Sequence, residues 1–217
     1  RARRTKLSFD PVSGRARLTL PPRASLAKAL GWARGQEAWL ARQRDRVPEG
    51  RPFVPGAAIP VDGVTLTIDW AAANPRLPHA VGDRLCVGGP ADAVPRRIEA
   101  WLKRQALALL TRETADYAAI AGVVVPRVGI GDPRGRWGSC AADGTIRYSW
   151  RLLLAPPAVR RATVAHEVAH RLHMDHSPAF HAAVARIYGR DPVAERRWLR
   201  ANGARLHWFG RTGSGEG

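Results

Sequence analysis

His166-Glu167-Val168-Ala169-His170 is the stretch that decides the fold of this chain, and His176 follows six residues later. Two histidines four positions apart on a helix point the same way, so both imidazoles can reach one metal ion. Glu167, between them, could accept a proton from water activated by that metal. His176 would supply a third nitrogen and leave one position open, as a catalytic zinc site requires. The spacing predicts Zn2+ bound by His166, His170 and His176, with Glu167 as general base.

Nearby acids and histidines leave alternatives for this site. Glu195, on the last predicted helix, is a rival third ligand because gluzincins use a downstream acid. Asp175, beside His176, is either an acceptor for a ligand imidazole or a surface acid. We expect His173 to face solvent and His181, one turn into the next helix, to be structural. Paired histidines also occur on ordinary amphipathic helices, but the third histidine and its helix context favour zinc.

The charge of the chain is strongly basic. Among 217 residues, 35 lysines and arginines against 18 acids give a formal net charge of +17. Nearly all of it is arginine, since only Lys6, Lys28 and Lys103 are lysines. A nucleic acid or nucleotide partner would explain this charge. Because the arginines are scattered and Ala, Gly and Pro are abundant too, a compositional bias explains it better.

The small number of cysteines and the lack of long apolar runs predict the cellular compartment. Cys86 and Cys140 are the only cysteines, which excludes a disulfide framework and a four-cysteine zinc site. No apolar run approaches the length of a membrane span, and no signal-peptide pattern opens the sequence. We therefore expect a cytoplasmic protein with no membrane partner.

The predicted elements divide the chain near residue 90. Residues 1–90 form a β-rich region with one helix, which runs from a Ser25 cap to about Arg46. Residues 91–210 are mostly helical and carry the metal motif, and 211–217 are predicted to be a disordered tail. Strands are predicted at 5–10, 15–20, 64–70, 84–87, 127–130 and 145–150, and a tight hairpin turn at 61–64. Helices are predicted at 92–121, 157–173, 178–188 and 192–203, and loops at 71–82 and 132–143.

Arg136-Trp137-Gly138-Ser139-Cys140 is a second candidate segment. Arg136, Trp137 and Ser139 in a glycine-containing turn could line a substrate cleft, with Arg136 binding a carboxylate or phosphate. Alternatively, Trp137 fills the core and Gly138 merely serves the turn, and residue type alone does not separate these interpretations. Cys140 has no cysteine nearby, and we expect a small buried residue rather than a nucleophile.

Several motifs occur in a fixed order along the second half of the chain. They are Arg136-Trp137-Gly138-Ser139-Cys140, Ile146-Arg147-Tyr148-Ser149-Trp150-Arg151, Ala155-Pro156, His166-Glu167-Val168-Ala169-His170 and His173-Met174-Asp175-His176-Ser177-Pro178-Ala179-Phe180. Together with Trp198-Leu199 and Gly203, they resemble the YgjP-like metallopeptidase family, which is related to the SprT-like zinc proteases. The resemblance covers most of residues 90–210, and the β-rich start is similar in style but weaker.

The resemblance implies an α+β protein in which the β-rich region precedes a zincin-like, minigluzincin-type helical domain with a small antiparallel sheet. It implies the same three histidine ligands and the same base, Glu167. It also favours Arg136 and Trp137 as residues that line the site. One departure is His181, which stands where the family usually has tryptophan.

Three functions are consistent with the sequence. A zinc-dependent metallopeptidase acting on a peptide or protein is favoured, because the ligand set plus Glu167 is typical of zincins. A metal-dependent hydrolase of nucleoside triphosphates, of the UTP pyrophosphatase type, is an alternative that the resemblance permits and Arg136 motivates. A non-catalytic zinc-containing module that binds nucleic acid is the third.

Overall fold

A hairpin and two short helices begin the chain in the computed structural model, which describes residues 2–212. These elements are β1 (Lys6–Asp10), β2 (Arg15–Thr19), α1 (Leu26–Arg34) and α2 (Glu37–Arg44). The predicted strand pair is confirmed, and Ser25 caps α1 as predicted. The single predicted helix is wrong, because the chain turns at Gly35 and Gln36 between α1 and α2. Of the predicted tail 211–217, residues 213–217 lie outside the described part of the chain.

A four-stranded mixed sheet follows, with strand order β3-β4-β6-β5. Its strands are β3 (Ala58–Val61), β4 (Val64–Trp70), β5 (His79–Val81) and β6 (Arg84–Val87). The predicted hairpin turn is confirmed, since Asp62 and Gly63 both have positive φ, 50° and 83°, as a tight two-residue turn requires. β5 lies in the predicted loop 71–82. Its three residues are exposed, so no buried face marks it in the sequence.

A long helix and a second sheet come next. They comprise α3 (Val94–Ala121), β7 (Val128–Gly131), β8 (Gly138–Cys140) and β9 (Ile146–Ser149). α3 ends at Gly122 in the left-handed conformation (φ 70°), which confirms the predicted end. The predicted antiparallel sheet is wrong in one pair: β8 and β9 are antiparallel, but β7 and β9 are parallel. The reason is the strand order β7-β9-β8. After β7, the chain first forms β8 at the opposite edge of the sheet and only then forms the central strand, β9.

Three further helices complete the order of elements. They are α4 (Pro157–Ala169), α5 (Pro178–Tyr188) and α6 (Val193–Leu206). α4 ends before the predicted His173, and Ser177 caps α5 as predicted. α6 continues through Gly203, its predicted end, where a Cβ would lie only 2.8 Å from the Trp137 indole. This glycine therefore allows close helix packing and does not end the helix. The α+β class, with strands before helices, is confirmed.

One buried apolar cluster crosses the predicted boundary at residue 90. It includes Ile59 and Leu85 from before the boundary and Ile98, Leu102 and Val164 from after it. The two regions share this core, and their separation into domains stays a prediction. Within residues 2–212, every helix is either too short or too polar to span a bilayer.

A buried arginine joins the four-stranded sheet to the helices. Arg160 of α4 has a side chain that is only 3% exposed. Its Nε donates to both carboxylate oxygens of Glu113 in α3, at 3.2 and 3.0 Å. Its Nη2 lies 2.9 Å from Glu113 Oε1 and 2.7 Å from Oδ1 of Asp62, in the turn between β3 and β4. A charge buried in this way depends on its partners, because water cannot replace them.

Replacing Glu113 by glutamine should lower the free energy of unfolding by about 3 kcal/mol, because the Arg160 charge stays buried without its main partner. Urea unfolding followed by circular dichroism measures the change. Glu99→Gln is the matched control on the same helix. Glu99 pairs with Lys103 at the surface, where their side chains are 41% and 42% exposed, so the loss should stay below about 1 kcal/mol. Equal losses in the two variants would contradict a structural role for the buried pair.

Candidate metal centre

Three imidazoles meet at the C-terminal end of α4. Ring nitrogens of His166, His170 and His176 all lie within 4.8 Å of one another. Nε2 of His176 lies 3.4 Å from Nε2 of His166. The first two histidines are half-buried and lie one helical turn apart, whereas His176 is exposed and belongs to the loop between α4 and α5. The structure thus brings the predicted donor set together.

The loop that carries His176 is held by local capping bonds. Asp175 Oδ1 accepts a hydrogen bond from the Ser177 backbone N–H at 3.1 Å. Ser177 Oγ in turn accepts from the backbone N–H of Phe180 at 3.3 Å and caps α5. Asp175 therefore stabilises the turn next to the third histidine, a role that neither sequence interpretation of this acid included.

The ring of His170 is oriented by a backbone carbonyl. His170 Nδ1 lies 3.0 Å from the carbonyl oxygen of His173, to which it donates in the tautomer that carries a proton on Nδ1. That tautomer leaves Nε2 free to bind a metal, and such a second bond usually fixes a ligand imidazole. His173 thus contributes to the site through its main chain, whichever way its side chain faces.

Phe180 lies against all three histidines. Its ring centroid is 4.9 Å from that of His166, 4.5 Å from that of His170 and 4.9 Å from that of His176, and its side chain is fully buried. The ring of His170 stacks on it at an interplanar angle of 27°. Sequence reasoning missed this residue, although its position in the first turn of α5, after the Ser177 cap, is a signal that could have identified it.

The donor set fits a divalent metal such as zinc. Burial, together with the neighbouring His170 and His176, lowers the pKa of His166 to about 4, so the imidazole is neutral near pH 7. Neutral imidazole is the form that binds metals. Two nitrogens on one tetrahedral zinc ion are about 3.3 Å apart, because each Zn–N bond is about 2.0–2.1 Å long. The separation of 3.4 Å between His166 and His176 agrees with that value.

Glu167 is a buried acid beside the three histidines, with 5% of its surface exposed. Burial raises the pKa of its carboxyl to about 7, and the nearby Arg136 guanidinium acts in the opposite direction. The start of β8 packs directly on this side chain: a Cβ on Gly138 would lie 2.4 Å from Glu167 Oε1. Gly138 therefore does more than serve a turn, because its missing side chain makes room for the carboxyl.

The segment 136–140 both lines a cavity and packs on the core. Arg136, Trp137 and Gly138 line a cavity of about 290 Å3 that also touches His166 and Glu167. Trp137 is half-buried and packs on the apolar core as well. Ser139 lies one residue further along β8, and Arg147 faces it on β9. Cys140 is half-buried, and burial raises the pKa of its thiol, which disfavours a thiolate nucleophile.

Two remaining candidates lie outside the histidine cluster. Among the described residues, the metal-type donors that converge within 4.8 Å are the three histidines and do not include Glu195. Glu195 lines the adjacent cavity and accepts a hydrogen bond from Tyr188 Oη instead. His181 is exposed, and its ring centroid is 6.5 Å from that of His176, so it is a surface neighbour of the site and fills no core position.

The comparison with protein families agrees with this geometry. Residues 4–202 match the model of the YgjP-like metallopeptidase domain. The chain belongs to the YgjP-like family. The family match extends beyond the motif-bearing residues 90–210 into the β-rich start. Searches of curated proteins and of solved structures gave no match.

In this YgjP-like chain, Gly138→Ala should displace Glu167 and lower hydrolysis of casein by about 100-fold, a typical contribution of acid–base catalysis. Metal content and thermal stability should change little, because the three atoms nearest the new methyl group all belong to Glu167 and none to a histidine. Gly135→Ala, in the loop that leads into β8, is the control, since a Cβ there meets nothing within 4 Å. Unchanged turnover in Gly138→Ala would show that this close contact is not needed.

Phe180→Leu should weaken zinc binding by about tenfold, because the histidine rings lose the surface that restrains them. Competition with a fluorescent chelator measures the dissociation constant. Phe53→Leu removes a similar volume from the core, where Phe53 is 2% exposed, and should leave zinc affinity unchanged. Equal zinc affinity in both variants would mean that Phe180 contributes only to packing.

Proposed function

We propose that this chain is a zinc-dependent metallopeptidase that hydrolyses peptide bonds. The observation that carries the proposal is the convergence of His166, His170 and His176 beside the buried carboxyl of Glu167. Three imidazoles suit zinc better than magnesium or calcium, which prefer oxygen ligands. A zinc ion held there would polarise a substrate carbonyl and lower the pKa of a water molecule towards about 7.

Glu167 would move the proton. A carboxylate oxygen accepts the proton from the attacking water, and the resulting carboxyl donates it to the amide nitrogen as the peptide bond breaks. Because Glu167 is packed beneath Gly138, bulk water has little access to the carboxyl. The proton is therefore retained for the leaving group.

The edge of the second sheet supports a peptide as the substrate. β8 is an outer strand, and within the described residues it pairs only with β9. Its first residue, Gly138, touches Glu167. An extended peptide could hydrogen-bond to the unpaired side of β8, as peptides do on exposed sheet edges. Such pairing would bring the peptide backbone close to the proposed base.

The charge around the cavity gives little support to a triphosphate substrate. Arg136 and Arg196 line the cavity, but the carboxylates of Glu167 and Glu195 line it as well. Phosphate groups bind where positive charge prevails, and here the two signs are balanced. Nucleotide hydrolysis is therefore an outcome to be tested against peptide hydrolysis.

Glu167→Gln should bind as much zinc as the wild type but cleave peptides at least about 100-fold more slowly, because the amide cannot accept the proton. Both proteins are assayed on casein, a peptide library, UTP and the other nucleoside triphosphates, and their metal content is measured by mass spectrometry. Glu99→Gln should keep full activity. Two results would overturn the proposal: wild-type turnover of nucleotides without any peptide cleavage, or undiminished peptide cleavage by Glu167→Gln.

A further inference from the structure

We propose that Gly203, in the last turn of α6, is a positioning residue for Glu167 and acts through Trp137. The glycine lets the Trp137 indole pack closely on α6, and this packing fixes the start of β8 against the Glu167 carboxyl. Gly203 is neither a member of the histidine cluster nor part of the cavity wall. The inference rests on the proposed peptidase function, in which Glu167 moves the proton.

The indole of Trp137 packs on the helix backbone at Gly203. A Cβ at position 203 would lie 2.8 Å from Cζ2 of the indole and 3.5 Å from its Nε1. Non-bonded carbon atoms pack at about 3.5–4.0 Å, so a methyl group there would force the indole to move. His207 follows one helical turn later, and its ring centroid is 5.1 Å from that of Trp137. Gly203 and His207 therefore form one surface of α6 that contacts the indole.

The backbone of Trp137 leads directly to the proposed base. Its carbonyl oxygen accepts a hydrogen bond from the backbone N–H of Ser149 at 2.8 Å. The next residue, Gly138, pairs with Tyr148 of β9, and a Cβ on it would lie 2.6 Å from Cδ of Glu167. Among residues 2–212, β8 pairs with β9 alone, so the packing of Trp137 supplies a second restraint on this backbone. A shift of the indole therefore changes the position of Gly138 against the carboxyl.

One buried guanidinium holds both sides of this contact. Arg151 is 5% exposed, and its Nη1 donates to the carbonyl oxygens of Leu206 and Phe209 at the end of α6, at 2.8 and 3.0 Å. Its Nε and Nη2 donate to the two carboxylate oxygens of Asp132 at 2.7 and 2.9 Å. Asp132 lies in the loop between β7 and β8 that also carries Trp137. Bidentate pairs of this kind are strong and directional, so the loop and the helix are held in a fixed relation.

Gly203→Ala tests the proposal, because its methyl group would displace the indole. kcat for a cleaved peptide should fall about tenfold, as part of the acid–base contribution of Glu167 is lost, and KM should change less than kcat. The rate is expressed per bound zinc, so that unfolded protein does not contribute to it. Gly31→Ala is the matched control, a second helical glycine at which a Cβ meets nothing within 4 Å, and it should leave kcat unchanged.

Trp137→Phe separates a shift of the indole from a general loss of packing. Phenylalanine lacks the Cζ2 and Nε1 atoms that the new methyl group would meet. In a Trp137→Phe background, Gly203→Ala should therefore change kcat by less than about twofold, because the effects of two residues in contact are coupled. Wild-type kcat in Gly203→Ala, or an equal loss in both backgrounds, overturns the positioning role and leaves the peptidase proposal standing.

Failure of the peptidase proposal is recognised separately, because the wild type would then cleave no peptide. Crystal structures of zinc-loaded wild type, Gly203→Ala and Gly31→Ala decide the positioning role without any substrate. A shift of the Glu167 carboxyl by about 0.5 Å or more against the three histidines, in Gly203→Ala alone, supports it, since catalytic groups need placement to about that accuracy. An unmoved carboxyl overturns it. Should Gly203→Ala fail to fold, Trp137→Phe takes its place in this comparison with the same two outcomes.

Discussion

The burial of α4 is the constraint on which the rest of the structure depends. Val164, Ala165, Val168 and Ala169 have no exposed surface, since helices pack around them and β8 lies alongside. Apolar packing of this kind leaves a helix few positions that can reach a ligand. His166 in α4 and His170 at its end lie at those positions, so the same contacts that stabilise the core also hold these two imidazoles in place. Arg160, on the same helix, also ties α4 to the four-stranded sheet through its ion pair with Asp62.

Polar groups at the site are positioned by packing as much as by hydrogen bonds. The ring of Phe180 packs against the three imidazoles, and Gly138 allows a strand backbone to contact Glu167. A rigid apolar support reduces the freedom of each ring, so less entropy is lost when a metal binds. The same close packing creates the cavity whose wall includes Glu195. The histidine cluster and the adjacent cavity are therefore two consequences of one packing arrangement.

Local signals in the sequence predicted much of the fold. The turn at Asp62 and Gly63, the Gly122 end of α3 and the Ser177 cap were all predictable, because each depends on the conformational preference of a few adjacent residues. Short strands were harder to predict. β5 is exposed along its length, and β8 has three residues without alternation, so neither leaves a periodic pattern. The parallel pairing of β7 with β9 depends on the path of the chain, which local patterns do not report.

By itself, the sequence determined the donor chemistry of the site. The spacing of His166 and His170 sets both rings on one helical face, since helix geometry is local. The tertiary structure places His176 beside the other two histidines and Glu195 outside their cluster, because the loop and the helix that carry them could each have folded towards or away from that face. It also decided that Phe180, Gly138 and Glu195 surround the site. These roles arise from contacts between elements, and the energy of such contacts depends on how the whole chain packs.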